Sequence, residues 1–109
     1  MRIGTITSVD EGPKRDVTVR IRSDELFSEI SDPPGPIKGA DVRAYQVTEE
    51  QSGAVRLLHL YLETSTGSRI RFYTATTQLD IALLLDELEA SLGDKPRTWT
   101  KAEPDRLSQ

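Results

Sequence analysis

The chain has no cysteine, one histidine and one tryptophan in 109 residues. Without thiols there is no disulfide, no thiol nucleophile and no thiolate metal site. A single imidazole also argues against an ordinary zinc site, which draws on several His and Cys ligands, so no metal and no cofactor are expected. Long apolar runs are missing as well. Nothing approaches a membrane span or a signal-peptide core, and the sequence points to the cytoplasm and away from a membrane. A strong charge of one sign is absent too: 14 Lys and Arg stand against 18 Asp and Glu, interspersed, for a net charge of −4. That is too mild for a protein built to hold a polyanion, and there are no carboxylate runs of the kind a nucleic-acid mimic needs. Internal repeats, low-complexity tracts and a Gly-rich phosphate loop are all lacking.

What is present is enough for one small domain, with 36% hydrophobic and 29% charged residues. The clearest unit runs from Ser68 to Leu92. Residues 68–75 alternate like a half-buried strand. Thr77 then suits a helix N-cap with Asp80 three residues on, and Ile81, Leu84, Leu85, Leu88 and Leu92 make an apolar stripe at helical spacing. Leu79, Ala82 and Leu83 widen that stripe, while Asp86, Glu87 and Glu89 mark the wet face. Gly93 suits the left-handed stop position, with Pro96 shortly after. The spacing predicts a helix over 78–92.

Before this unit, Arg2 to Val9 reads as a first strand and residues 10–15 as a turn. Residues 16–22 alternate cleanly, with Val17, Val19 and Ile21 on one side and Thr18, Arg20 and Arg22 on the other. Ser23 can cap a short helix near 24–30 that carries Leu26, Phe27 and Ile30, and Pro33 stops it. Pro33-Pro34-Gly35-Pro36 reads as a rigid spacer in preference to a proline-rich docking motif. Residues 40–48 form a third strand whose inward face is either Val42 and Ala44 or Tyr45 and Val47. Glu49 to Gly53 reads as a polar turn. Residues 54–64 form a fourth strand with Leu58, Leu60 and Leu62 on one face and His59, Tyr61 and Glu63 on the other.

The next connection is fixed by register. With Ser65-Thr66-Gly67 as loop and Gly67 at positive φ, Leu62 faces Ile70, Leu60 faces Phe72, Glu63 faces Arg69 and Tyr61 faces Arg71. A two-residue loop would set Leu62 against Arg71 and mix core with solvent, since a one-residue slip inverts both faces. The resulting expectation is an α+β fold. An antiparallel sheet of about five strands carries the C-terminal amphipathic helix 78–92 on one face and a short helix near 24–30. The domain covers 1–94, and 95–109 form a polar, partly disordered tail in which Trp99 either packs on the body or anchors a partner. Strands followed by one C-terminal amphipathic helix resemble the pleckstrin-homology superfold in element order. That superfold has seven strands, and the resemblance carries over no site residues because no lipid-binding motif can be placed.

The candidate site is the face that shows Arg20, Arg22, His59, Tyr61, Arg69, Arg71 and Tyr73. Arg among aromatics on a sheet can hold phosphate and stack bases. The same residues equally suit a solvated sheet face with cross-strand pairs such as Glu63 with Arg69, and the net acidity favours that reading. His59 has no recognisable nucleophile motif around it, so catalysis is the least expected function. Expected instead is a small non-catalytic protein–protein interaction domain, such as an inhibitor, immunity-type or adaptor protein of phage or mobile-element origin. It would bind another protein, or itself as a homodimer, through an open sheet face or edge. The alternative is a module for nucleic acid or a phosphate ligand that uses the Arg and Tyr face.

Overall fold

The computed structural model describes residues 2–8 and 15–101, with side chains from Thr18 onward. The turn expected over 10–15 and the last eight residues of the expected tail lie largely outside that range. The fold is α+β, with two sheets and one α-helix among the described residues. Strands β1 (Arg2–Ser8), β2 (Arg15–Ile21), β3 (Glu25–Ser28) and β4 (Ile37–Lys38) form an antiparallel sheet in that order. After a 3₁₀ turn (Gly39–Asp41) come β5 (Val42–Ser52), β6 (Val55–Thr64), β7 (Arg69–Ala75), helix α1 (Gln78–Leu92) and β8 (Arg97–Thr100). The second sheet has the order β7-β6-β5-β8; β8 runs parallel to β5 and the other pairs are antiparallel. Two four-stranded sheets thus replace the single sheet of about five strands. Among the described residues seven strands precede the helix.

The inner faces of both sheets and one stripe of α1 share a single core. It contains Val19, Ile21 and Leu26 from the first sheet and Tyr45, Val47, Leu58, Leu60, Leu62, Phe72 and Tyr73 from the second. Ile81, Leu84, Leu85 and Leu88 come from the helix. Thr77 caps the helix as its sequence suggests, its hydroxyl accepting from the Asp80 N–H at 3.2 Å, and Gly93 ends it at φ 93°. The apolar stripe is narrower than expected. Leu79 and Leu83 are 66% and 52% exposed, on the side turned away from the sheets.

Three departures from simple patterning have local causes. Residues 25–28 are a strand and not the expected short helix. Leu26 and Ser28 are buried while Glu25 is exposed, and this alternation seats β3 between β2 and β4. Leu26, Phe27 and Ile30 fit a helix only if Phe27 turns inward, whereas it is half-buried beneath Arg20 on the outer side. The ambiguous strand resolves through a bulge between Val42 and Ala44, after which the inward parity shifts to Tyr45 and Val47. A second irregularity lies in β7. The expected pairs Leu62–Ile70, Glu63–Arg69 and Tyr61–Arg71 all form, but Leu60 then faces Tyr73 instead of Phe72. Both aromatics end up fully buried.

The β6–β7 loop follows the register argument. Thr64 N–H donates to Ser68 O at 2.8 Å, and Gly67 N–H donates to Thr64 O at 2.9 Å with Gly67 at φ 90°. A side chain would meet nothing there within 4 Å, so the cost of substitution is conformational. Gly67→Val should lower stability by about 1 kcal/mol or more in chemical denaturation, against near-zero for Ser65→Ala. Equal midpoints for the two variants would contradict the loop geometry.

The Pro-rich segment also has a place in the fold. Asp32 pairs with Arg71 through both backbone groups, at 2.8 and 3.0 Å, so this loop covers part of the outer edge of β7. Arg97–Thr100, which the sequence assigns to a polar tail, instead forms the opposite edge of the same sheet.

Candidate binding surface

The pleat of the second sheet sends Gln46, Thr48 and Glu50 of β5 outward, together with His59, Tyr61 and Glu63 of β6 and Arg69, Arg71 and Thr74 of β7. Five of the candidate residues are therefore placed as expected: His59, Tyr61, Arg69 and Arg71 on this face, and Arg20 on the outer side of β2. Arg22, just past β2, is exposed beside Arg20. The two arginine pairs belong to different sheets, so they do not form one strand-to-strand array. Tyr73 is a correction. The β7 irregularity turns it into the core at 0% exposure, where it cannot meet a ligand.

The outer face is internally bonded. The Arg69 guanidinium lies over the Tyr61 ring, 4.5 Å from its centroid, and donates to Gln46 Oε1 at 3.2 Å. Gln46 Nε2 donates in turn to Glu63 Oε1 at 3.2 Å, so the expected Glu63–Arg69 relation is made through Gln46. Arg71 Nη2 stands 3.7 Å from Asp32 Oδ2. On the first sheet, Arg20 sits over Phe27 at 5.0 Å, and these two line a cavity of about 170 Å³ with Arg22 and Glu25. Such exposed cation–π contacts contribute roughly 0.5–1 kcal/mol each.

His59 is only 8% exposed, and both ring nitrogens are used. Nε2 lies 2.8 Å from Glu50 Oε1, and Nδ1 lies 2.8 Å from Thr74 Oγ1. A carboxylate only accepts, so Nε2 carries a proton and donates to Glu50, while Nδ1 and the Thr74 hydroxyl share the second hydrogen bond. The imidazole is thus a link in a Thr74–His59–Glu50 chain and presents no unoccupied nitrogen to a substrate. Among the described residues no group of three His, Asp or Glu is arranged to hold a metal ion, and no helix is long and apolar enough to cross a membrane.

The other edge of the sheet holds residues that sequence reasoning passed over. Glu49, read as part of a polar turn, lies in β5 with inward parity and is 6% exposed. It accepts from Trp99 Nε1 at 2.6 Å and lies 3.7 Å from Arg56 Nη1. The Arg97 guanidinium meets Glu89 Oε2 of α1 through Nη2 at 2.6 Å and Nε at 3.0 Å. Between β8 and α1, a cleft of about 230 Å³ is lined by Tyr45, Val47, Leu85, Arg97, Thr98 and Trp99. The only sequence signal for this site was the lone Trp99 among threonines.

The Tyr45 hydroxyl at this cleft donates to Gly93 O at 3.2 Å, with Leu88 O at 3.4 Å, tying β5 to the end of α1. Burial, and then the nearby Glu89 carboxylate, push this phenol from its ordinary value of 10 up to about 12. The fold therefore favours the neutral phenol, while the unfolded chain releases its proton near pH 10. That stabilisation is complete below pH 10 and is lost as pH rises through 12. Thermal melts from pH 9 to 12 should show wild type losing on the order of 2 kcal/mol more than Tyr45→Phe. Parallel losses would contradict the role given to this hydroxyl.

No family model matches the chain, and no curated protein or solved structure matches it significantly.

Proposed function

We propose that the chain is a small non-catalytic protein-interaction module of the inhibitor, immunity-type or adaptor kind. It meets its partner through the outer face or the free edge of the second sheet. The observation that carries this reading is the internal pairing of that face. Arg69 is held by Tyr61 and Gln46, Arg71 by Asp32, and His59 by Glu50 and Thr74. A phosphate-binding surface gains from cations that are free to displace counterions. A protein partner gains more from a pre-ordered polar surface with an amphipathic Tyr at its centre, because little side-chain entropy is then lost on docking.

The test is capture from the native host with the immobilised chain, followed by mass spectrometry, comparing wild type with Tyr61→Ser and with the Arg69→Ala/Arg71→Ala pair. The expected result is a protein whose retention survives nuclease and moderate salt. Sub-micromolar binding of DNA or RNA at physiological salt, with a steep salt slope flattened in the double-arginine variant, would replace this reading with the phosphate-ligand alternative.

A further inference from the structure

We propose that the free edge of β8, with the cleft beneath it, takes an extended peptide segment whose aromatic or branched aliphatic side chain enters the cleft. This rests on the reading of the chain as a protein-interaction module and names the class of partner. β8 is the last strand in its sheet, and among the described residues no strand pairs with its other side. The Tyr45 N–H donates to Pro96 O at 2.9 Å, which fixes the alternation of the strand. The backbone groups of residues 96, 98 and 100 turn to β5, and the N–H and C=O of Arg97 and Trp99 turn to the open edge. A row of two residues' donors and acceptors is the template for strand addition, in which main-chain bonds give affinity and side-chain pockets give selectivity.

The cleft sets the chemistry of the inserted group. An apolar cavity of about 150 Å³ accepts a benzene ring, and sites for free drug-sized ligands start near 300 Å³. At about 230 Å³ this cleft holds one side chain, not a cofactor. Apart from Thr98, the polar side chains of its lining are already engaged: the Tyr45 hydroxyl with Gly93 O, Trp99 Nε1 with Glu49, and Arg97 with Glu89. A polar side chain placed there would lose water and gain little, so the group that enters is apolar. Among the described side chains, a second copy offers no edge strand with an exposed large apolar group, since Val55 lies on the inner strand β6 and Leu79 and Leu83 on α1. Its own β8 turns Arg97 and Trp99 toward its own Glu89 and Glu49, and the residues left on its outer side are Thr98 and Thr100. The occupant is a strand from a different protein.

The probes are acetylated and amidated heptapeptides of alternating Thr and Ser with Phe, Leu, Ala or Asp at the centre. Trp99, the sole tryptophan, reports through its fluorescence, and amide shifts at residues 97–100 report the edge. The Phe and Leu peptides should titrate saturably, and the Ala and Asp peptides should bind about tenfold or more weakly, the effect of burying one large apolar side chain. Arg97→Pro removes one outward N–H without touching the β5 ladder, a substitution that edge strands tolerate. Arg97→Gln keeps that N–H and loses the ion pair. Saturable binding should vanish in the first variant and persist within a few-fold in the second. Equal affinity for the Phe and Ala peptides, equal binding by the two Arg97 variants, no saturation with any peptide, or a peptide-independent dimer formed through β8 would each overturn the proposal. A host protein still captured through Tyr61 in that case would leave the module reading standing while the β8 edge is abandoned.

Discussion

Truncating Leu88 to Ala should lower the stability of this domain by about 2–5 kcal/mol, a large part of the roughly 5–15 kcal/mol available to a domain of this size. Leu88 is fully buried in the shared core, with Ile81, Leu84 and Leu85 on the same stripe of α1. The helix closes a core fed by two sheets, so the cavity would open where neither sheet can collapse alone to fill it. The matched control is Leu83→Ala. It has the same chemistry on the same helix, but Leu83 is 52% exposed, and its loss should stay near or below about 1 kcal/mol. At roughly 4–8 °C per kcal/mol, thermal melts separate the two variants clearly. Similar melting temperatures would mean that the helix does not close this core.

Gly39→Ala should be the costliest single-methyl addition. Gly39 is buried and starts the 3₁₀ turn between the two sheets, with its N–H donating to Asp24 O at 3.0 Å. A Cβ there would press into the backbone carbonyl of Ser23, closer than real Cβ atoms come, and would stand 3.0 Å from Leu92 Cδ2. The leucine tip could yield, but the carbonyl belongs to the chain that turns from β2 to β3. The cost should be about 1–3 kcal/mol, the range for overpacking against an unyielding neighbour. It differs in kind from Gly67, where positive φ and not crowding makes glycine necessary. Denaturant midpoints should place Gly39→Ala below Gly67→Ala. The reverse order would show that the crossing at Ser23 is looser than the structure indicates.

Sequence patterning was legible wherever the periodicity was local. The helix over 78–92 with its Thr77 cap and Gly93 stop, the Gly67 loop, and the pairs Glu63–Arg69 and Leu62–Ile70 all follow from spacing and register. Reading failed where a single extra residue intervened. The irregularities at Val42–Ala44 and in β7 each shift inward parity by one, and no alternation count contains that shift. Tyr73 was misplaced for this reason. β3 and β4 were missed because four and two residues are too short to show a period, and their partner strands decide their state. β8 was missed because its side chains are polar and mostly exposed. Its place depends on the backbone ladder to β5 and on the bond from Trp99 to Glu49, fifty residues away in sequence, with Arg97 to Glu89 as a more local tie. The candidate face was half legible: position along a strand gave Tyr61, His59, Arg69 and Arg71, but not the contacts that engage them.

The most direct test of the account is amide hydrogen exchange along β8. The structure predicts protected N–H groups at Thr98 and Thr100, which point to β5, and fast exchange at Arg97 and Trp99, which point to the open edge. Uniformly fast exchange over residues 97–100 would mean that β8 is not part of the sheet. Protection at Arg97 and Trp99 would mean that the edge is already covered, and either result would contradict a binding edge at β8.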